Sequence, residues 1–423
     1  NGAHFVPREP ATLQAGGLHE SDVEALLLKA LLLRGDLAGR DMAEQLKLPM
    51  RLVEPLLRRF KLEHLVGYRG AAPLNDYLYH LTEQGRDRAQ RLAATNTYCG
   101  AAPVTLSDYV ASVAAQSPQR QRPGVAELRR ALGDLLISPQ MVDRLGPALQ
   151  NGRGLFLYGA PGNGKTSIAE RLTRAFGPHI WIPRALSIDG QIVRVFDPLL
   201  HHEAPWSHDR SGDDTEAIDR RWVRIQRPTI VVGGELTLDS LELARNPASK
   251  TLEAPLQLKS NCGTLVIDDF GRQRVSPSEL LNRWIVPLER RVDFLTLPSG
   301  GKIQVPFDQL VVFSTNLRPR DLVDDAFLRR IPYKIEVQGP NEDEFCALFA
   351  RLAPEFGLEY REQAVRQLID RHYRASGRAL RCCHPRDLLQ QVLGHCQFQR
   401  LAPELTNEYL DIAVRNYFAV MDE

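Results

Sequence analysis

The apolar positions change their spacing along the chain, and the change marks separate regions. In residues 19–35, "HESDVEALLLKALLLRG", apolar residues recur with a helical period and acidic residues fall in the first turn, predicting a helix. "AGRDMAEQLKLP" predicts a short helix after it, and "MRLVEPLLRRFKLEHLVGYRG" a further one ending near Gly67. "YLYHLT" alternates as a strand does, and "EQGRDRAQRLA" returns to helix. Residues 99–124 hold Pro, Gly, Ser and Gln in loose order and read as a linker. "VAELRRALGDLLISPQMVDRLGPALQNG" continues as helical pieces.

Beyond residue 150 the pattern becomes short, nearly pure apolar runs. "GLFLYG", "TIVVGG", "GTLVIDD" and "QLVVFSTN" are strand candidates of the kind that parallel sheets bury on both faces. From 339 the helical period returns in "NEDEFCALFARLAPEF", "REQAVRQLIDRHYRAS", "HPRDLLQQVLGHCQFQRL" and "TNEYLDIAVRNYFAV", a small bundle. The expected division is therefore 19–98 as an α+β domain resembling a winged helix, 99–124 as a linker, 125–338 as an α/β core, and 339–423 as a helical lid. Inside the core, "RALSIDGQIVRVFD" reads as a hairpin turning at Asp189-Gly190, and "VDFLTLPSGGKIQVPFDQL" as another turning at Ser299-Gly300-Gly301. The polar stretch 201–219 is expected to be mobile.

Composition adds limits. The chain has 423 residues, 43% hydrophobic and 25% charged, which fits a globular protein of more than one domain. Net charge is +1, so no whole-molecule field argues for nucleic acid. No run approaches the roughly 18 apolar residues of a membrane span. The first residues lack the basic start and apolar core of a signal peptide. The six cysteines do not form a secreted framework in a chain this long, and they predict reduced thiols in a cytoplasmic setting. Cys382-Cys383-His384 with His395-Cys396 can be drawn as a metal site, but the spacing matches no common zinc pattern.

The most specific chemistry lies in "GLFLYGAPGNGKTSIAERLTRAF". Gly159, Ala160, Pro161, Gly162, Asn163, Gly164, Lys165 and Thr166, with Ser167 following, fit G-x-x-x-x-G-K-[ST] between a strand and a helix. Glycines there let backbone N–H groups face phosphate oxygens, and the helix N-terminus favours the same charge. Lys165 would bridge the β- and γ-phosphates of ATP, and the Thr166 hydroxyl would hold Mg²⁺. "GTLVIDD" ends an apolar strand on two adjacent carboxylates, which repel unless a cation is near. Asp268 would complete the magnesium shell and Asp269 would orient or deprotonate water.

These ordered motifs, over roughly residues 135–420, resemble the AAA+ ATPase family. The resemblance implies a P-loop parallel-sheet core with a helical lid. It also implies that Asn316, in "QLVVFSTN", is the sensor-1 residue that polarises the lytic water. "DLVDDAFLRRIPYKIEV" resembles the segment that lends an arginine finger to a neighbour, with Arg330 first and Arg329 second. "CCHPRDLL" resembles sensor 2, with Arg386 reaching the phosphates. "GKIQVPFDQLVVFSTN" is similar to the equivalent stretch of MoxR-type chaperones. The family usually carries Glu where Asp269 stands, so hydrolysis is expected to be slow.

By the same resemblance the active unit is a homo-oligomeric ring, hexameric in form, acting on a protein partner. Two other readings stay open. One is a DNA-directed ATPase using Arg51, Arg58, Arg59 and Lys61 of the N-terminal domain. The other is a nucleotide-gated switch with little turnover.

Overall fold

A computed structural model describes residues 5–152, 154–206 and 217–419. Part of the polar stretch expected to be mobile, residues 207–216, lies outside the described residues.

At the N-terminal end, the helix Glu20–Arg34 begins under two acidic side chains and stops at Gly35, whose φ is +84°. The helix Met50–Leu62 buries Val53, Leu56, Leu57 and Phe60 at three- and four-residue spacing. It ends before Gly67, earlier than the apolar period suggested. His64 takes a left-handed backbone (φ +55°), and the Leu65 N–H turns back to Phe60 O. Val66–Ala72 is consequently a strand, paired antiparallel with Asp76–Leu81, and Leu37–Ala38 adds to the other edge. The Thr82 hydroxyl caps the following helix by accepting from Gly85 N–H.

The core sheet contains β1 (Leu155–Tyr158), β2 (Thr229–Val232), β3 (Thr264–Ile267), β4 (Leu310–Thr315) and β5 (Tyr333–Glu336). All neighbours are parallel, and the spatial order is β2-β3-β4-β1-β5. The first four are the apolar runs seen in the sequence. The fifth was hidden because it is an edge strand: only Ile335 is buried, so "YKIE" carries no continuous apolar run. Phe156, Phe270, Phe313 and Trp284 pack together on one face of the sheet. Helix α1 (Lys165–Leu172) covers the other face through Ile168, Ala169 and Leu172.

Between α1 and β3 the chain builds a second β layer. His179–Pro183 pairs with Trp222–Gln226. A further five-stranded sheet contains the hairpin Ala185–Ile188 and Gln191–Arg194. That hairpin turns at Asp189 and Gly190, both with positive φ (+47° and +71°), as a tight two-residue turn requires. The second hairpin, Val292–Thr296 with Lys302–Pro306, buries Leu295, Ile303 and Val305 in the same core.

The stretch 99–124, expected as a linker, differs. Val104–Thr105 joins the five-stranded sheet, and Leu106–Gln116 is a helix whose Tyr109 and Val113 are buried there. Its Ala, Ser and Gln residues give a weak period, and Tyr109 and Val113 anchor it through tertiary packing. The C-terminal bundle comprises Glu342–Leu352, Glu362–Leu368, His384–Gln399 and Asn407–Phe418 around Phe345, Phe349, Leu388 and Val392. Among the described residues no helix is long and apolar enough to cross a membrane.

Candidate nucleotide site

The loop between β1 and α1 owes its shape to glycine. Gly159 and Gly162 have φ of +141° and +82°. A Cβ on Gly159 would lie 2.5 Å from Val337 O, and one on Gly162 the same distance from Cys383 Sγ. The loop is thus pressed between the sheet edge and the lid. Lys165, at the start of α1, is only 7% exposed. Its ammonium donates to Gly159 O and Ala160 O (both 3.0 Å) and to Asn316 Oδ1 (2.7 Å). Burial pulls its pKa below the ordinary lysine value; Asp269 and Asp268 pull it back up, and Arg381 adds to the lowering.

The acidic pair divides its work at the end of β3. Asp268 accepts from the Thr166 hydroxyl at 2.9 and 3.0 Å, one distance per carboxylate oxygen. Asp269 takes a left-handed backbone, φ +48°, and accepts from Asn316 Nδ2 at 3.2 Å. The next residues hold that turn in place. Phe270 N–H donates to Ser314 O at 2.7 Å, and the Thr315 hydroxyl donates to Phe270 O at 2.8 Å. Gln273 donates to Asp268 O at 2.7 Å. The side chain of Phe270 is buried.

Thr166 and Asp268 together offer hard oxygen donors facing the loop, a set that fits Mg²⁺ when phosphate and water complete the shell. The remaining space is a cleft of about 830 Å³ between core and lid. Pro161, Asn163, Gly164, Ser167 and Asn316 line it with the acidic pair. Its volume suits a nucleotide-sized ligand. Leu135, Ile137, Leu348 and Leu352 give it an apolar wall, and Arg272 and Arg351 also reach it. Sequence reading missed these residues. They come from separate segments and share no motif, although the apolar run before Ser138 was visible.

The strand that decides the fold is β4. It stands between the strand feeding the phosphate loop and the strand bearing the acidic pair, and so delivers Asn316 to both Lys165 and Asp269. The core is a parallel α/β fold with a phosphate-loop motif between β1 and α1.

A model described as a domain of unknown function (DUF8689) matches residues 341–416, the helical lid. Spastin of Xenopus tropicalis is 25% identical over 241 residues, which cover 57% of this chain. The chain spans about a third of that relative's length (31%). Among solved structures, NtrX from Brucella abortus in complex with ADP aligns with 14% identity and a TM-score of 0.40, covering 67% of this chain and 56% of that one. A mutant RuvB of Thermotoga maritima aligns with 12% identity and a TM-score of 0.39, covering 68% and 72%. Superpositions this loose add nothing to the strand order and loop geometry above.

The remaining sequence candidates fall outside the phosphate loop. Arg386 lines the cleft but is exposed, bonded to Glu355 at 3.3 Å and set against the Phe356 ring. Arg329 and Arg330 end the helix Asp325–Arg330 and do not line this chain's own cleft. Arg330 pairs with Glu289 at 2.6 Å. The cysteines are free, and no His, Cys, Asp or Glu group among the described residues is arranged to hold a metal by itself.

The basic residues of the helix Met50–Leu62 are occupied. Arg51 bonds Glu9 at 2.6 Å, and Arg58 bonds Glu54 at 2.6 Å. Arg59 meets Glu20, Glu24 and Glu63. The Lys61 ammonium lies 4.9 Å from the centre of the Tyr68 ring.

Proposed function

We propose that this protein binds Mg²⁺-ATP in the AAA+ cleft, hydrolyses it, and uses the lid's movement in a homo-oligomeric ring to remodel a protein partner. The observation that carries the reading is the connected set Thr166–Asp268 and Lys165–Asn316–Asp269 at the mouth of the phosphate loop. In it Lys165 neutralises the phosphate chain, and Thr166 and Asp268 hold the metal. Asp269 accepts a proton from, or orients, the attacking water, and Asn316 fixes the position of that carboxylate. Magnesium, when bound, supplies charge neutralisation at the β- and γ-oxygens.

The placement of Arg329 and Arg330 away from their own cleft supports a role in a neighbour's site, where a guanidinium is worth about 10³–10⁵ in rate. In this reading residues 19–98 are a winged-helix-like docking domain, 125–338 the motor core and 339–423 the lid. A protein partner is favoured over DNA because Arg51, Arg58 and Arg59 already face carboxylates of their own chain. A phosphate backbone would have to displace those partners.

Phosphate release per chain tests the reading. It should rise with protein concentration as rings assemble and vanish in Lys165→Ala. A rate independent of concentration would remove the shared site. Duplex DNA that binds at low salt and is lost on reversing Arg58 and Lys61 would favour the DNA-directed reading.

A further inference from the structure

A second pocket, of about 300 Å³, opens on the added β layer, away from the phosphate loop. The chain has four tryptophans, and three of them line it: Trp181, Trp206 and Trp222. The pairing of His179–Pro183 with Trp222–Gln226 sets Trp181 opposite Arg224 and Pro183 opposite Trp222, so both indoles and the guanidinium share one face. Ile180, Ile182, Val223 and Ile225 take the other face into the core. Trp181 and Trp222 are buried, whereas Trp206 is 42% exposed. The Trp206 and Trp181 rings lie 5.8 Å apart with their planes at 60°, and the Arg224 guanidinium sits 5.0 Å from the Trp206 ring centre. The walls therefore form an aromatic corner with a cation beside it.

The rim is positive. Lys47, from the N-terminal domain, and Arg220 both meet one carboxylate, Glu44, and Arg220 does so at 2.5 Å. Arg184 meets Glu203 at 3.4 Å, and its Nε is buried without a hydrogen-bond partner. With Arg224, four cations line the pocket and share two carboxylates. Trp and Arg are the residues that most often anchor a protein interface. A single-stranded nucleic acid asks for successive exposed rings along a basic groove. Here one ring is exposed, and the tilted pair leaves a corner for a single side chain.

We propose that this pocket docks the protein partner through an extended acidic segment, which packs a proline or aromatic side chain against Trp206 and sets carboxylates against Arg184 and Arg220. The inference rests on the protein-partner reading above and gives that partner a surface and a chemistry.

The test is fluorescence anisotropy of the full chain with a labelled synthetic peptide of Glu and Asp residues around a central Pro-Phe pair, alongside labelled oligothymidylate. The parent should bind the peptide, and more weakly as salt rises. Trp206→Ala should weaken peptide binding about 10- to 100-fold, the range for a truncated aromatic anchor. Trp206→Phe should recover part of that loss. Arg220→Gln should weaken it about 3- to 10-fold and flatten its salt dependence, as for a rim charge. Basal ATP hydrolysis should be the same in all of these variants. If Trp206→Ala melts well below the parent, Trp206→Phe and Arg220→Gln carry the comparison. Equal peptide binding by the parent and the variants would overturn the pocket and leave a protein partner in place. A parent that ignores the peptide and binds oligothymidylate, with loss in Trp206→Ala, would overturn both the inference and the protein-partner reading. A parent that binds neither probe would overturn the inference alone.

Discussion

Asn316 donates its side-chain N–H to Asp269 Oδ1 at 3.2 Å. The same amide accepts from Lys165 at 2.7 Å, so one side chain fixes the spacing between the cation and the acidic residue. Removing it should leave ATP bound and slow the chemistry. Asn316→Ala is expected to lower kcat by about 10²-fold, the scale of one lost preorganised donor. The ATP Kd should change little. Steady-state turnover beside equilibrium binding checks this, and a loss confined to binding would assign Asn316 to the ground state.

The shorter acid at position 269 has a backbone reason. Asp tolerates the left-handed region better than Glu, and Asp269 has φ +48°. Asp269→Asn keeps that tolerance and removes the base, so hydrolysis should fall about 10²- to 10⁴-fold with binding retained. Asp269→Glu gives the length usual in the AAA+ proteins that the motif resembles but strains the turn. It should melt lower than the parent and turn over no faster. A faster Asp269→Glu enzyme would show that side-chain length, and not the turn, limits the parent.

The phosphate loop and the acidic strand were readable because their chemistry demands residue types at fixed spacing. The hairpin at Asp189-Gly190 was equally readable, since few residue pairs accept two positive φ values. What stayed hidden depended on tertiary contact. The edge strand Tyr333–Glu336 buries one side chain, and the helix Leu106–Gln116 is built from small residues whose partners lie on distant strands.

Arg330 offers a test of the shared site. Its partner Glu289 is on the same chain, so an arginine finger must exchange that contact for a neighbour's phosphate. Arg330→Ala and Lys165→Ala should each be inactive alone. Mixed, they should regain activity at interfaces where an intact Arg330 meets an intact loop. Mixtures as inactive as the separate variants would confine Arg330 to a structural role.

The lid carries a pH-sensitive group. His384 is buried between Tyr373, Tyr417 and Phe418, with a 3.1 Å contact to the Tyr373 hydroxyl. Burial first, then Arg381, pushes its pKa from 6.5 to about 4; Asp387 opposes this and Arg378 adds to it. The unfolded chain takes up a proton in that window and the folded chain refuses it. The ring's contribution to stability is therefore full above pH 6.5 and is lost as pH falls toward about 4. The melting-temperature advantage of the parent over His384→Gln should shrink across that range. An advantage independent of pH would mean that the ring takes up its proton in the folded lid as readily as in the unfolded chain.

The proposed hydrolysis and lid movement both require Mg²⁺-ATP in the cleft beside Lys165. Calorimetric titration of the parent and of Lys165→Ala with ATP, with and without magnesium, measures that directly. One site per chain is expected for the parent, tightened by magnesium, with a loss of ATP affinity in Lys165→Ala, if Mg²⁺-ATP occupies that cleft. Equal ATP binding by the two proteins, or no binding by the parent, would contradict it.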